Sequence, residues 1–190
     1  SIRSNDGQIV VVTSFKGGSG KSTAVTNVAV AAVLAGLRTL VIDADPQRSL
    51  SFWLGLRRPG LGAELTGIAS APRDAAALAD RSRAGFDLIL VDMPGRDDAA
   101  VTAVMREASF CLVPARPSAL DADASQRTVD ALERMGVRYG VLLTQVQAAA
   151  TVRTRAWVEI YDSRSLVVAP VWVSRVAYQD AVAQGLGVME

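Results

Sequence analysis

Residues 13–23 read TSFKGGSGKST and contain Lys16 and Lys21, the two lysines of a 190-residue chain with 20 basic residues; all the others are arginine. An apolar, β-branched run precedes this stretch and a helix-forming run follows it. A glycine loop between a strand and a helix cradles an anion: glycines let backbone N–H groups curl round it without Cβ obstruction, and the helix points its positive end at the same place. The segment Gly20-Lys21-Ser22 matches the end of the phosphate-binding pattern G-x-x-x-x-G-K-[ST], with Phe15 standing where its first glycine would be. Gly17, Gly18, Ser19, Gly20, Lys21, Ser22 and Thr23 are therefore the expected nucleotide-binding residues. Lys21 reaches the β- and γ-phosphates, and Ser22 offers its hydroxyl to Mg²⁺. One nucleotide held within one chain leaves Lys16 without a task.

Working outward, strands are expected over residues 8–14, 38–43, 86–92, 109–115 and 138–145. A last short strand is expected over 167–173. Helices are expected after the glycine loop, over 122–135, over 151–161 and from residue 178. Residues 57–72 carry no readable pattern. Near-continuous apolar strands alternating with helices give the α/β class: a single-domain P-loop NTPase over residues 1–190, with a mostly parallel twisted sheet and helices on both faces. Half of the residues are hydrophobic, enough for one sizeable core.

The net charge of +1 gives no global attraction to nucleic acid or membrane. The sequence has no histidine and one cysteine, Cys111, which excludes an internal disulfide and disfavours zinc or iron–sulfur sites. Cys111 reads as a small buried hydrophobe. The start, SIRSNDGQ, is polar, and no apolar run has the length of a membrane span. A cytoplasmic setting is the expectation.

Three acidic residues, at the ends of two strands, complete the site by position. VIDADPQ ends a strand with Asp43 and Asp45, and ligands of open α/β sheets bind at such strand ends. LILVDMPG ends another strand with Asp92, where Mg²⁺ is held directly or through water. Gly95 follows in a loop suited to sensing the γ-phosphate. No arginine or glutamine stands obviously on that phosphate, so slow intrinsic hydrolysis is expected.

The segment KGGSGKST resembles the deviant P-loop of the ParA/MinD family of ATPases, which position cargo in bacteria. The resemblance runs from about Gln8 to Glu190 and is most specific over residues 16–23 and 42–47. It implies that Lys16 crosses a homodimer interface to the partner's nucleotide, giving a catalytic set of Lys16, Lys21 and Asp45. Asp45 then orients the attacking water, and Asp43 lies near Mg²⁺ beside Ser22 and Asp92. VLLTQVQ is similar to the family's strand beside the adenine, which implies contacts from Thr144, Gln145 and Gln147. VSRVAYQDAVAQGLGV resembles a late segment of the family, with Ser174 where proline is usual and Val176 where a polar residue is usual. The lack of an N-terminal helix-turn-helix and the shortness of the chain resemble the small plasmid-partition type, with the family's last helix missing.

The implied cofactors are ATP and Mg²⁺. The implied partners are a second copy, non-specific DNA, and a ParB-like or cargo-adaptor protein that stimulates hydrolysis; no membrane is expected. Such a protein is nucleoid-associated. Arg127, Arg134, Arg138, Arg153 and Arg155 give a local basic excess, and Arg153 and Arg155 are the expected DNA contacts at a helix start. A MinD-like membrane ATPase and a ligase of the dethiobiotin-synthetase kind are the alternatives. A nitrogenase-reductase-like cluster needs two cysteines per chain. Plasmid, chromosome, carboxysome and chemoreceptor cluster all remain open as cargo.

Overall fold

The computed structural model describes residues 6–58, 64–147, 151–162 and 172–190. Its strands are β1 (Gln8–Val12), β2 (Thr39–Asp43), β3 (Leu65–Ala69), β4 (Leu88–Asp92), β5 (Phe110–Ala115) and β6 (Tyr139–Leu143). They form one sheet in the order β3-β2-β4-β1-β5-β6, and every pairing is parallel. Five of the six lie where the apolar runs predict them. β3 lies in the stretch without a readable pattern. It forms an edge, paired to β2, and none of its residues is fully buried, so no continuous apolar run announces it. The strand expected over 167–173 falls mostly outside the described residues; Val173 makes an isolated parallel bridge to Val146.

The helices among the described residues are α1 (Lys21–Leu34), α2 (Ser49–Leu56), α3 (Ala75–Arg81), α4 (Ala99–Glu107), α5 (Ala119–Met135), α6 (Thr151–Asp162) and α7 (Val176–Ala183). Strand side chains alternate between faces, and that alternation sorts the helices into two layers. Ile9, Val11, Leu40, Ile42, Ile89 and Val91 point into one core with Ala79 of α3, Val104 and Met105 of α4, Val129 and Leu132 of α5, and Tyr161 of α6. Val12, Val41, Leu90, Leu112 and Leu142 point the other way, against Ala24, Val25 and Ala29 of α1 and Leu50 of α2. Cys111 belongs to the first core; burial pushes its thiol up to about 12, so it is inert packing.

Residues 184–190 close the α1–α2 layer. The Val188 N–H donates to Asn27 Oδ1 of α1 at 2.8 Å, and Trp53 Nε1 of α2 donates to the Leu186 carbonyl at 3.1 Å. Arg57 pairs with Glu190 at 2.8 Å, with both side chains largely buried, and its guanidinium lies 5.0 Å from the Trp53 ring centroid.

The sheet register fixes the site. Val12 pairs with Asp92, and Asp92 pairs with Asp43. The carboxyl ends of β1, β2 and β4 therefore stop at one level. The chain leaves β1 toward β2 on one side, while β5 lies on the other side of β1, so this level is the point where the strand order reverses and a crevice opens.

Leu90 sits fully buried on β4, in the middle of the sheet. Leu90→Ala is expected to lower the unfolding free energy by about 2–5 kcal/mol. Urea denaturation with an unchanged slope checks this; a loss under about 1 kcal/mol would mean that the α1 layer closes over the gap.

Candidate nucleotide site

Helix α1 starts bare. Its N-cap, Gly20, has φ 92° and contributes no side chain, and the first turn holds no acidic residue. The opening backbone N–H groups of a helix have no intrahelical acceptor, and the dipole adds positive potential there. A 14-residue helix left uncapped at the end of a central strand is an anion site by construction. The glycine is favoured by its φ, which lies in the left-handed region.

A cleft of about 530 Å³ lies in front of this turn. Gly17, Gly18, Gly20, Lys21, Ser22, Thr23, Asp45, Gln47, Pro94, Gly95, Arg96 and Gln145 are among the residues that line it. The structure thus brings together the glycine loop, Lys21, Ser22 and Asp45, with Asp92 immediately behind. Ser22 Oγ donates to Asp92 Oδ2 at 2.7 Å. Lys21 is almost fully buried, and its Nζ donates to the Lys16 carbonyl at 3.3 Å. Burial pulls the Lys21 ammonium below its ordinary pKa, while Asp92 and Asp45 oppose that shift. Burial pushes Asp92 up to about 7, against the Ser22 hydrogen bond and the charge of Lys21.

Asp92 fits a divalent cation. Its Oδ1 is buried and accepts no hydrogen bond from the described residues. A fully buried carboxylate oxygen without a donor is costly unless a cation completes it. Among the described residues no cluster of three or more metal-ligating side chains forms, so a cation here takes its other ligands from phosphate and water, as Mg²⁺ does. Ser22 and Asp92 are the groups that would hold it.

The other expected residues are placed as follows. Asp43 is fully buried, but its carboxylate is taken by the start of α2. Oδ2 accepts from the Ser51 N–H at 2.7 Å and from Ser51 Oγ at 2.6 Å, and Oδ1 accepts from the Asp45 N–H at 3.3 Å. It caps α2 and reaches the site as charge alone. Asp45 Oδ1 accepts from the Gln47 N–H at 2.9 Å, which fixes the turn that carries Asp45 on the cleft wall.

Thr144 and Gln145 hold the loop from behind: Thr144 Oγ1 donates to the Ser19 carbonyl at 2.8 Å, and Gln145 Nε2 donates to the Gly18 carbonyl at 3.2 Å. They also line a second cavity that shares Gly20 and Thr23 with the first and runs to Trp172, Arg175, Tyr178 and Gln179. The Trp172 and Tyr178 rings there are stacked, 5.6 Å between centroids. Gln147 is exposed and lines neither cavity. Ser19 is buried and its hydroxyl has no partner among the described residues.

Lys16 does not line the cleft. Its Nζ donates to Asp121 Oδ2 at 2.8 Å, at the start of α5, on a carboxylate shared with Arg116 and Ser118. Burial raises Asp121, but the donors Lys16, Ser118 and Arg116 outweigh it and hold the carboxyl below its usual range. Arg153 and Arg155 fall on α6; Arg155 is exposed, and the Arg153 side chain lies outside what the structure describes.

Two residues that were not among the expected site residues, Arg96 and Gln47, are on the cleft wall with Gln145. Arg96 follows D-M-P-G directly, and that adjacency is the signal that could have found it. Trp172 and Tyr178 gave none, because their proximity is made by the fold.

A bare helix end after a central parallel strand, a buried lysine, and a serine–aspartate pair at the next strand end define a P-loop nucleotide-binding protein. Residues 10–185 match the family model of the CobQ/CobB/MinD/ParA nucleotide binding domain, and the chain belongs to that family. It is a nucleotide-binding ATPase of the ParA/MinD type. It is 29% identical over 196 residues to the maintenance of carboxysome distribution protein A of Halothiobacillus neapolitanus, covering 100% of this chain and 90% of that one. The fold is that of the cell division ATPase MinD of Pyrococcus furiosus, with a TM-score of 0.81 and 19% identity over 97% of this chain and 90% of that one. It is also that of pNOB8 ParA bound to nonspecific DNA, with a TM-score of 0.66 and 20% identity over 87% and 80% of the two chains.

Asp92 titrates at about 7 when folded, above its ordinary 3.8. Its contribution to stability is therefore full below about pH 4 and is lost as pH rises through about 7. Without nucleotide and in EDTA, Asp92→Asn is expected to be more stable than wild type at pH 8, by a few kcal/mol at most, with no such advantage at pH 4. Urea melts across that range decide it; parallel pH profiles for the two proteins would remove the desolvated carboxylate from the account.

Proposed function

We propose that residues 1–190 act as one nucleotide-binding domain of an ATP-gated positioning ATPase. In this reading two copies close face to face on two ATP molecules, the closed dimer binds DNA without sequence preference, and an adaptor protein triggers hydrolysis and release. The observation that carries it is the separation of the two lysines. Lys21 already serves the chain's own cleft. Lys16 sits outside the cleft lining with about a quarter of its side chain exposed (27%), where a second copy can reach it.

Each residue then has a task. The α1 N–H groups and Lys21 neutralise the inner phosphates. Ser22 and Asp92 would hold Mg²⁺, which supplies charge neutralisation across the β- and γ-phosphates. Asp45 accepts a hydrogen bond from the attacking water and aims it. Lys16 of one copy adds its charge to the phosphates bound by the other, which ties closure to the triphosphate. Thr144, Gln145 and the Trp172–Tyr178 pair border the base. Exposed Arg155 contributes to the DNA surface, a role supported by the relative solved on nonspecific DNA. No helix among the described residues is long and apolar enough to cross a membrane. The nucleoid is the proposed location, and the carboxysome-distribution relative favours a protein cargo as much as a plasmid.

Light scattering with random-sequence DNA, in ATP and in ADP, tests the reading. Wild type is expected to double its mass and bind DNA in ATP only. Lys16→Gln is expected to do neither, and Lys21→Ala to lose nucleotide binding altogether. A wild type that stays monomeric and ignores DNA in ATP defeats the proposal.

ATP turnover without partners is expected to be slow, with stimulation when adaptor and DNA are both added. Lys16→Gln is expected to lower stimulated turnover by at least about 100-fold, the scale of one lost transition-state donor. A steady-state phosphate-release assay reads this; full stimulated activity in the variant would place Lys16 outside catalysis.

A further inference from the structure

Arg96 has no assigned task. It lies in the loop after β4, four residues beyond Asp92, and it lines the phosphate cleft with Gly17, Lys21, Ser22 and Asp45. The loop is seated on the glycine loop itself. A Cβ on Gly95 would stand 2.8 Å from the Lys16 carbonyl and 2.9 Å from the Gly17 nitrogen, so the two backbones are in contact and only glycine fits between them. The Arg96 N–H donates to the Pro94 carbonyl at 2.9 Å, which tightens the turn.

The guanidinium is only half engaged. Its Nε donates to Asp98 Oδ2; its Nη groups donate to no other described residue, and the side chain is 56% exposed. Asp98 uses its other oxygen, Oδ1, to cap α4 by accepting the Val101 N–H at 2.9 Å. The ion pair can therefore open without uncapping the helix.

The charges of the cleft need a second cation. Among the described residues that line it, Lys21 and Arg96 are the cations, and Lys16 is turned to Asp121. Lys21 faces Asp92 and Asp45. ATP and ADP share the phosphates gripped by the bare end of α1, and differ in the charge beyond them, at the end where Asp92 would hold Mg²⁺. Arg96 stands on the loop that leaves Asp92, and its planar fork matches a phosphate in two parallel hydrogen bonds.

We propose that Arg96 reads the terminal phosphate: its guanidinium leaves Asp98 for the γ-phosphate, so the site prefers the triphosphate to the diphosphate. The inference rests on the ATPase reading above and adds the residue that makes that site selective. Asp98 is its resting partner and competes with the phosphate for it.

Calorimetric titration with ADP and with the β,γ-imido analogue of ATP, in Mg²⁺, tests this on wild type, Arg96→Ala, Arg96→Lys and Asp98→Asn. Arg96→Ala is expected to keep ADP affinity within about twofold and to lose about 10- to 100-fold for the analogue, the range for one charged hydrogen-bonding group. Arg96→Lys is expected to recover part of that loss. Asp98→Asn keeps a capping oxygen and frees the guanidinium, so the preference for the analogue is expected to hold or rise. An unchanged analogue-to-ADP ratio in Arg96→Ala overturns the proposal. So does an Asp98→Asn ratio that falls as far as that of Arg96→Ala, since the pair would then only brace the loop. A wild type that binds neither nucleotide overturns the ATPase reading itself, and this inference with it.

Discussion

The uncapped amino end of α1 is the constraint that the rest of the structure answers to. The first backbone N–H groups of a helix have no intrahelical acceptor, and Gly20 brings no side chain to supply one. The groups packed around that end leave it open. Thr144 and Gln145 hold the loop carbonyls from behind, so the N–H groups face forward. Gly95 lets the β4 loop touch the first residues of the glycine loop. The register that aligns Asp43 and Asp92 brings acidic groups near, yet turns the first of them into α2. The result is a cleft with its donors and a bare buried carboxylate oxygen already set, the kind of preorganisation phosphoryl transfer relies on.

The two buried aspartates show how one strand register yields two chemistries. Both lie at the same level on adjacent strands, and both are inaccessible to solvent. Asp43 accepts three hydrogen bonds and is satisfied by the protein. Asp92 accepts one and keeps an oxygen bare. The satisfied group holds a helix, while the other keeps an acceptor to spare. Position along the strand could not separate these roles; the difference lies in Ser51, eight residues on, whose hydroxyl and N–H meet Asp43 because α2 begins where it does.

Much of this was legible in the amino-acid order, and the failures have physical causes. The buried strands showed themselves because both faces of a parallel sheet are covered, leaving long apolar runs. β3 did not, because an edge strand with Gly67 at its centre buries little. α2, α3 and α4 were not delimited either: each is only seven to nine residues long, about two turns, too short for the helical period to repeat clearly. Within the site, Lys21, Ser22, Asp45 and Asp92 come from short motifs whose geometry is local. The partner of Lys16 lies 105 residues away and depends on where α5 starts. The stacked Trp172 and Tyr178 depend on a turn that no spacing specifies.

The all-parallel sheet has a consequence for how the protein is made. It contains no hairpin, so each strand pairing joins distant parts of the chain. β1 is synthesised early but pairs with β4 and β5, so it has no strand neighbour until residues near 88 have emerged, and a second only after residues near 110. The groups that brace the glycine loop, at 144 and 145, come later still. Contacts of such long separation slow folding. During synthesis, then, the glycine loop precedes the residues that brace it by more than a hundred residues of elongation.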